Sequence, residues 1–164
     1  MITILINSNE VIYDIRSKTH TELAVSVQDE TQRYRIEAGT EKLDEVKRCV
    51  QEAHAEALGA LSRFLEDAHN HDGATSTYAN GAVVLPTNLA FPFKWSERRY
   101  RYKIDSLKVL LFSLLVNLAM ARFYTSMQAE GLAKVRAAQA QSDLSQVQAL
   151  VYYKAEPAIT HVTE

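Results

Sequence analysis

Histidine and acidic side chains are concentrated at two places where they could hold a metal ion. One is the segment His69-Asn70-His71-Asp72, and the other is a helical stretch in which His54 lies between Glu52 and Glu56. A metal site needs three or four ligands in fixed geometry, and the remaining histidines are distant in sequence. We therefore interpret the first segment as a solvated loop and the two glutamates as a solvated helix face, and we predict no metal or cofactor.

The single cysteine, Cys49, is the one candidate nucleophile of its type. A catalytic thiol needs a nearby histidine or another feature that lowers its pKa. His54 follows five residues later, so the two side chains do not stack on one face of a helix. We predict that Cys49 is a small buried hydrophobic residue.

A basic and aromatic segment, 94–103, holds five cations and three aromatic rings within ten residues. Such a mixture suits a protein interface, because Arg, Tyr and Trp dominate interface hot spots. Two other interpretations remain open: the rings pack on the core at the start of a helix, or the cations contact nucleic-acid phosphates. The residues of this possible interface are Trp95, Arg98, Arg99, Tyr100, Arg101 and Tyr102.

The overall composition is that of an ordinary globular domain. The chain has 164 residues, of which 47% are hydrophobic and 23% charged, and its net charge is −2, so bulk electrostatics do not favour nucleic acid as the main partner. The sequence contains no glycine-rich phosphate loop and no G-x-S-x-G, H-E-x-x-H or C-x-x-C motif. We therefore expect a protein that is not an enzyme, and the absence of a signal-peptide pattern predicts an intracellular location.

Residues 1–37 show the alternation of a half-buried β-strand. Apolar and β-branched residues alternate with others in Ile2–Asn7, Val11–Arg16 and Leu23–Gln28, and Tyr34 and Ile36 add a short strand. The polar break at Ser17–His20 predicts a hairpin turn.

Three long helices are predicted after these strands. Residues 41–68 have apolar side chains every three or four positions, with Thr40 as the expected N-cap. Residues 73–102 form an extended connector with a short strand near Ala82–Leu85. Further helices are predicted at 103–128 and 132–153, and residues 154–164 form an extended tail. The predicted fold is α+β, mainly α, with an N-terminal hairpin or small antiparallel sheet and a three-helix bundle in one domain, 1–153.

The segment Leu107–Met120 is apolar on all sides. A membrane-spanning helix needs about 20 such residues, and here Lys108, Asn117 and Arg122 interrupt the run. We predict a core helix with no membrane partner. One amphipathic helix cannot cover all of its faces, so other elements or a neighbouring subunit must contribute.

The order of these segments resembles the small head–tail connector, or ring, proteins of tailed bacteriophages, especially crAss-like phages that infect Bacteroides. The resemblance lies in Val11–Arg16, in Arg33-Tyr34-Arg35-Ile36 before the helix Glu41–Leu65, in Val84-Leu85-Pro86, and in the apolar helix Leu107–Tyr124 followed by an Ala- and Gln-rich helix.

The resemblance implies a structural virion protein of the phage neck. Such a protein forms a homo-oligomeric ring, commonly of twelve subunits, that binds the portal protein, extends the DNA channel with non-specific contacts to DNA, and presents a docking surface for the next ring or the tail. It would be assembled in the host cytoplasm. Alternatives are a helical dimeric interaction module of a phage or bacterium, a metal-assisted enzyme using His54, Glu52 and His69–Asp72, and a DNA-binding regulator using Arg98–Lys103.

Overall fold

The computed structural model describes residues 2–66, 77–79, 82–94 and 103–152. The helices and strands in this part of the chain are β1 (Ile2–Asn7), α1 (Ser8–Ser26), α2 (Glu30–Ile36), α3 (Leu43–Leu61), β2 (Thr77–Ala79), β3 (Ala82–Val84), β4 (Asn88–Phe93), α4 (Ile104–Ser126) and α5 (Glu130–Val151).

A small antiparallel sheet joins the start of the chain to its middle. Strand β1 pairs with β4 from Ile2 opposite Phe93 to Asn7 opposite Asn88. Pro92 has no N–H group to give to a ladder, but its carbonyl accepts a hydrogen bond from the Glu66 N–H on the side away from β1. Ile4 and Ile6 point into the core, so this sheet closes one side of the helical core.

The prediction of a β-rich N-terminal region, 1–37, is wrong beyond β1. Val11–Arg16 and most of Leu23–Gln28 lie in α1, and the Ser17–His20 break is inside that helix. The Asn7 side chain caps α1 by accepting hydrogen bonds from the N–H groups of the second and third residues after it, which is the usual N-cap geometry. Strand β1 therefore pairs with β4 and forms no hairpin with its neighbour in sequence.

The predicted strand at Tyr34 and Ile36 is also wrong. Both residues lie in α2, a short helix whose N-cap is Asp29. The side chain of Arg33 donates a hydrogen bond to the Val27 carbonyl, which ties α2 back to the end of α1. The first 37 residues thus contribute two helices and one strand to the fold.

The helix predicted at 41–68 is confirmed in its centre but is shorter than expected. Helix α3 is preceded by a 3₁₀ turn at Thr40–Lys42 and followed by another at Ser62–Phe64. Thr40 makes no N-cap bond, since its hydroxyl accepts a hydrogen bond from Arg16 instead. Leu65 then forms a β-bridge with Phe93, because pairing with β4 satisfies the backbone better there than another helical turn.

Helix α4 occupies the centre of the fold, which confirms its prediction as a core helix. It packs against α1, α3, α5 and β1. By length and composition alone it could cross a membrane, but core helices of globular proteins share these properties. Ten of its residues are buried: Leu107, Leu111, Leu114, Leu115, Val116, Asn117, Ala119, Met120, Phe123 and Tyr124.

Helix α5 returns antiparallel to α4 and begins two residues earlier than predicted. The joint is Gln128, whose φ of 60° is in the left-handed region. Only five residues of α5 are buried: Ala133, Ala140, Asp143, Val147 and Val151. The helix therefore covers one side of α4 and exposes most of its own surface.

The connector predicted at 73–102 contains more strand than expected. The strand near Ala82–Leu85 is confirmed as β3, which pairs antiparallel with β2. Strand β4 was not predicted because Pro92 argues against a strand interior. The predicted loop at His69–Asp72, the possible interface at Trp95, Arg98, Arg99, Tyr100, Arg101 and Tyr102, and the tail 154–164 lie outside the described residues.

The predicted fold class, α+β and mainly α with a small antiparallel sheet and long helices, is confirmed. Among the described residues there are four long helices rather than three, since α1 joins the bundle.

Candidate functional site

An open groove of about 710 Å³ runs along the outside of α4, between α3 and α5. We call it the α3–α5 groove. Leu114, Leu118 and Ala121 form its floor. Its walls are rich in alanine, with Ala57 and Ala60 on α3 and Ala133, Ala137 and Ala140 on α5. The rest of the lining is more polar and includes Glu45, Arg48, Glu52, Glu56, Arg122 and Lys134, so the groove has an apolar floor between partly charged walls.

One arginine links the α3 wall to α4 along the solvent-exposed edge of their contact. Arg122 donates to Glu56 through Nε at 3.1 Å and Nη2 at 2.7 Å, and to Glu52 through Nη1 at 3.1 Å. All three side chains are 40–48% exposed, and exposed ion pairs contribute little stability. The contact orients the two helices more than it stabilises them, and it confirms that Glu52 and Glu56 lie on a solvated face.

The α5 wall is held from its other side by a buried polar cluster. Arg136 donates to one oxygen of Glu22 on α1, through Nε at 3.1 Å and Nη2 at 2.9 Å. The hydroxyl of Tyr124 donates to the same oxygen at 2.8 Å. Burial, and then this bond to Glu22, raise the pKa of Tyr124 above its usual value. Tyr124 therefore stays a neutral donor at every physiological pH.

The cluster continues along α4 to a buried carboxylate. Arg136 Nη1 donates to Asn117 at 3.0 Å, and Asn117 donates in turn to Asp143 at 2.8 Å. Ser113 donates to the same Asp143 oxygen at 2.7 Å, and Gln139 reaches the other oxygen. Each polar group thus has a partner, as buried polar groups require. Hydrogen bonds are directional, so this cluster fixes the rotation of α5 and with it the wall of the groove.

Cys49 lies beside the groove, and its predicted role as a small buried hydrophobic residue is confirmed. The residue is 3% exposed. Burial, and then the carboxylates of Glu45 and Glu52, raise the pKa of its thiol to about 12. The thiolate is the nucleophilic form of cysteine, so this thiol is unreactive at neutral pH.

His54 lies on a different face of α3 from Glu52 and Glu56. Its ring nitrogen Nε2 is 3.1 Å from the Ala90 carbonyl of β4, and the ring packs edge-on against Phe91 with centroids 5.0 Å apart. The structure does not bring His54 and Glu52 together as metal ligands. In the described part of the chain there is no group of three or more His, Cys, Asp or Glu side chains suited to a metal ion.

The burial of His54 beside β4 makes stability depend on pH. Burial lowers the pKa of His54, and the bond to the Ala90 carbonyl offsets only part of this effect. Below about pH 6.5, the ordinary histidine value, the unfolded chain binds more protons than the folded one. The free energy of unfolding should therefore fall as the pH is lowered from 7 towards 5.

Urea denaturation at a series of pH values tests this expectation. His54→Gln, which keeps a donor for Ala90, should remove much of the decrease between pH 7 and 5. The matched change at an exposed histidine, His20→Gln, should leave the decrease in place. Equal pH dependence in the wild type and the His54→Gln variant would refute the role of His54.

The α3–α5 groove was not predicted from the sequence. The one signal available was the Ala- and Gln-rich stretch Ala137–Gln141, where the apolar seam of α5 becomes thin. In the structure, that stretch supplies the small residues of the groove wall.

No protein-family model, curated protein or solved structure matches this chain.

Proposed function

We propose that this protein is a structural assembly subunit with no catalytic role, which joins copies of itself through the α3–α5 groove. The observation that carries the proposal is the groove itself. It is preformed beside the central helix, it is lined mainly by small and apolar side chains, and the described residues do not fill it.

The construction of the groove supports a role in assembly. Both walls pack on α4: α3 contacts it through a buried apolar face, and α5 is also joined to it by the buried polar cluster. A rigid receptor loses little conformational freedom when it binds, so more of the contact energy appears as affinity. The groove also has neither an activated nucleophile, since Cys49 is a neutral thiol, nor a metal-ligand group among the described residues.

The resemblance to phage connector proteins gives the proposal its setting. We infer a homo-oligomeric ring in the neck of a tailed bacteriophage, with twelve subunits as the expected number. The ring would bind the portal protein on one side and the next ring or the tail on the other, and it would extend the DNA channel. Assembly would take place in the host cytoplasm, and the segment with Trp95 and Arg98–Tyr102 would be part of an interface.

The neck assignment is tested by binding to portal-bearing particles. Purified full-length protein is mixed with DNA-filled heads that carry a portal but no tail, taken from the phage whose genome encodes it. The protein should co-sediment with these heads and appear by electron microscopy as a ring at the portal vertex. A stable dimer that stays in the supernatant would instead support the alternative, a helical dimeric interaction module.

A further inference from the structure

We propose that the α3–α5 groove of each subunit takes residues 153–164 of a neighbouring copy, so that the C-terminal segment links one subunit to the next. This inference rests on the proposed function, and it names the partner of the groove.

The described chain leaves the fold at the end of α5, beside the groove. Helix α5 ends at Val151, and the ring of the next residue, Tyr152, packs edge-on against Phe64 with centroids 6.5 Å apart. The guanidinium of Arg63 lies 6.0 Å from the same ring. Tyr152 is 61% exposed and lies next to Ala60, at one end of the groove. The segment that follows therefore starts at this end of the groove.

Residues 153–164 are also long enough to span the groove. From Ala133 to Leu144 the groove follows α5 for eleven residues, which at 1.5 Å per residue is roughly 16 Å. Residues 153–164 span up to about 40 Å when extended. The segment can therefore cross the gap between two subunits and still fill a groove of this length.

The residue types of segment 153–164 also suit the groove. Pro157 disfavours a helix and makes an extended segment the expected form. Ile159 and Val162 supply apolar side chains, and Ala155 and Ala158 add little bulk. An extended segment with spaced apolar residues matches a narrow groove lined by alanine, as in other modes of peptide recognition.

The sequence favours a neighbouring subunit over the same subunit. Helix α5 runs towards the Phe64 end of the groove, so the chain would have to reverse sharply after Tyr152 to enter its own groove. The residues available for that reversal, Tyr153-Lys154-Ala155-Glu156, include none of the turn-forming Gly, Asn, Asp or Ser. Glu156 is further restricted to extended backbone by Pro157.

The groove carries charges of both signs, with Glu45, Glu52 and Glu56 on α3 and the cations Arg48, Arg122 and Lys134, so charge favours the segment only through one local pair. Lys134 lines the end of the groove away from Tyr152 and forms no salt bridge with any described residue. Glu164 lies at the other end of the segment from Tyr153. Each copy would thus use two different surfaces, its segment 153–164 and its α3–α5 groove. Such a heterologous contact closes into a ring when the rotation between subunits allows it.

Disulfide trapping in the full-length chain tests the inference. Cys49→Ala removes the natural cysteine, and Ala137→Cys is then combined in turn with Glu156→Cys, Ile159→Cys and Val162→Cys, so that an unknown register is covered. A disulfide requires Cβ atoms within about 4.5 Å. Under mild oxidation we expect at least one pair to convert monomers into a ladder of covalent oligomers on a non-reducing gel.

Matched controls use Ala138→Cys, an exposed neighbour of Ala137 that does not line the groove. Its pairs should remain monomeric. Three results would overturn the inference but leave the proposed function standing. They are equal trapping at positions 137 and 138, trapping only within monomers, and no trapping in a protein that native mass spectrometry shows to be oligomeric. A protein that is monomeric before oxidation would overturn the proposed function as well.

A second variant pair keeps the test independent of cysteine chemistry. Ile159→Asp places a charge on an apolar side chain of the segment and should dissociate the oligomer, whereas Thr160→Asp next to it should have a smaller effect. Because both positions lie beyond α5, the helical content measured by circular dichroism should be the same in both variants and in the wild type. Unchanged oligomers with Ile159→Asp would contradict the inference.

Discussion

Replacing Arg136 with methionine should lower the free energy of unfolding by about 3 kcal/mol. The change leaves the carboxylate of Glu22 without its cation and Asn117 without a donor to its oxygen. Breaking a buried ion pair typically costs about 3–5 kcal/mol. We expect the lower end of that range because the Arg136 and Glu22 side chains are 19% and 18% exposed. Urea denaturation at one fixed protein concentration measures the effect.

The matched control is Arg122→Met. Arg122 also joins two helices through carboxylates, but it and its partners are far more exposed, so the expected loss is below about 1 kcal/mol. The double change Glu22→Gln and Arg136→Met also removes the carboxylate that Arg136→Met leaves without a cation. It should therefore recover part of the stability lost in Arg136→Met. Equal losses for Arg136→Met and Arg122→Met would mean that the buried cluster does not hold α5 in place.

Replacing Ala137 with arginine should abolish assembly. Ala137 is an exposed residue on the wall of the groove, so the long side chain can fold out into solvent in the free subunit but obstructs any segment that enters. Overpacking of this kind costs about 1–3 kcal/mol, and each 1.4 kcal/mol weakens a contact about tenfold. Every subunit of a ring uses the contact twice, so sedimentation should show monomers where the wild type is assembled.

Ala138→Arg is the control for this substitution. It introduces the same side chain at the next residue of α5, which is exposed and does not line the groove. It should leave assembly unchanged. Both variants should keep the helical content of the wild type, measured by circular dichroism, because neither residue is buried. Assembly that survives Ala137→Arg, or that is lost equally in both variants, would show that the α3–α5 groove is not the contact.

The N-terminal region shows why local pattern misled the prediction of secondary structure. Val11 and Ile15 lie at alternate positions with Tyr13 between them, as on one face of a strand, but they are also four residues apart, as on one face of a helix. In the structure both residues are buried, whereas Tyr13 is 75% exposed. A strand would place all three side chains on one face, and the local pattern alone does not distinguish the two cases. The Asn7 cap and the contact of α1 with α4 decided the outcome, and the latter depends on residues about a hundred positions away.

The long helices were predictable because their signals are strong and local. Spacing of three and four residues identified α3, and continuous apolarity identified α4 as the core helix. The buried cluster was not predictable, since Glu22 and Arg136 are 114 residues apart in sequence. Nothing in the local sequence of either residue indicates its partner.

The groove could be predicted only in part. The weak apolar seam at Ala137–Gln141 signals that α5 packs loosely on one side, but the sequence does not show that α3 lies opposite. That arrangement depends on the packing of α3 against α4, which brings Arg122 to Glu52 and Glu56, 70 and 66 residues away.

Native mass spectrometry of the wild-type protein, at micromolar concentrations and near-neutral pH, tests most directly whether this chain is a self-assembling structural subunit. We expect one closed oligomer of more than two copies, with twelve as the expected number, and the same stoichiometry over a tenfold range of concentration. A monomer across that range would contradict it.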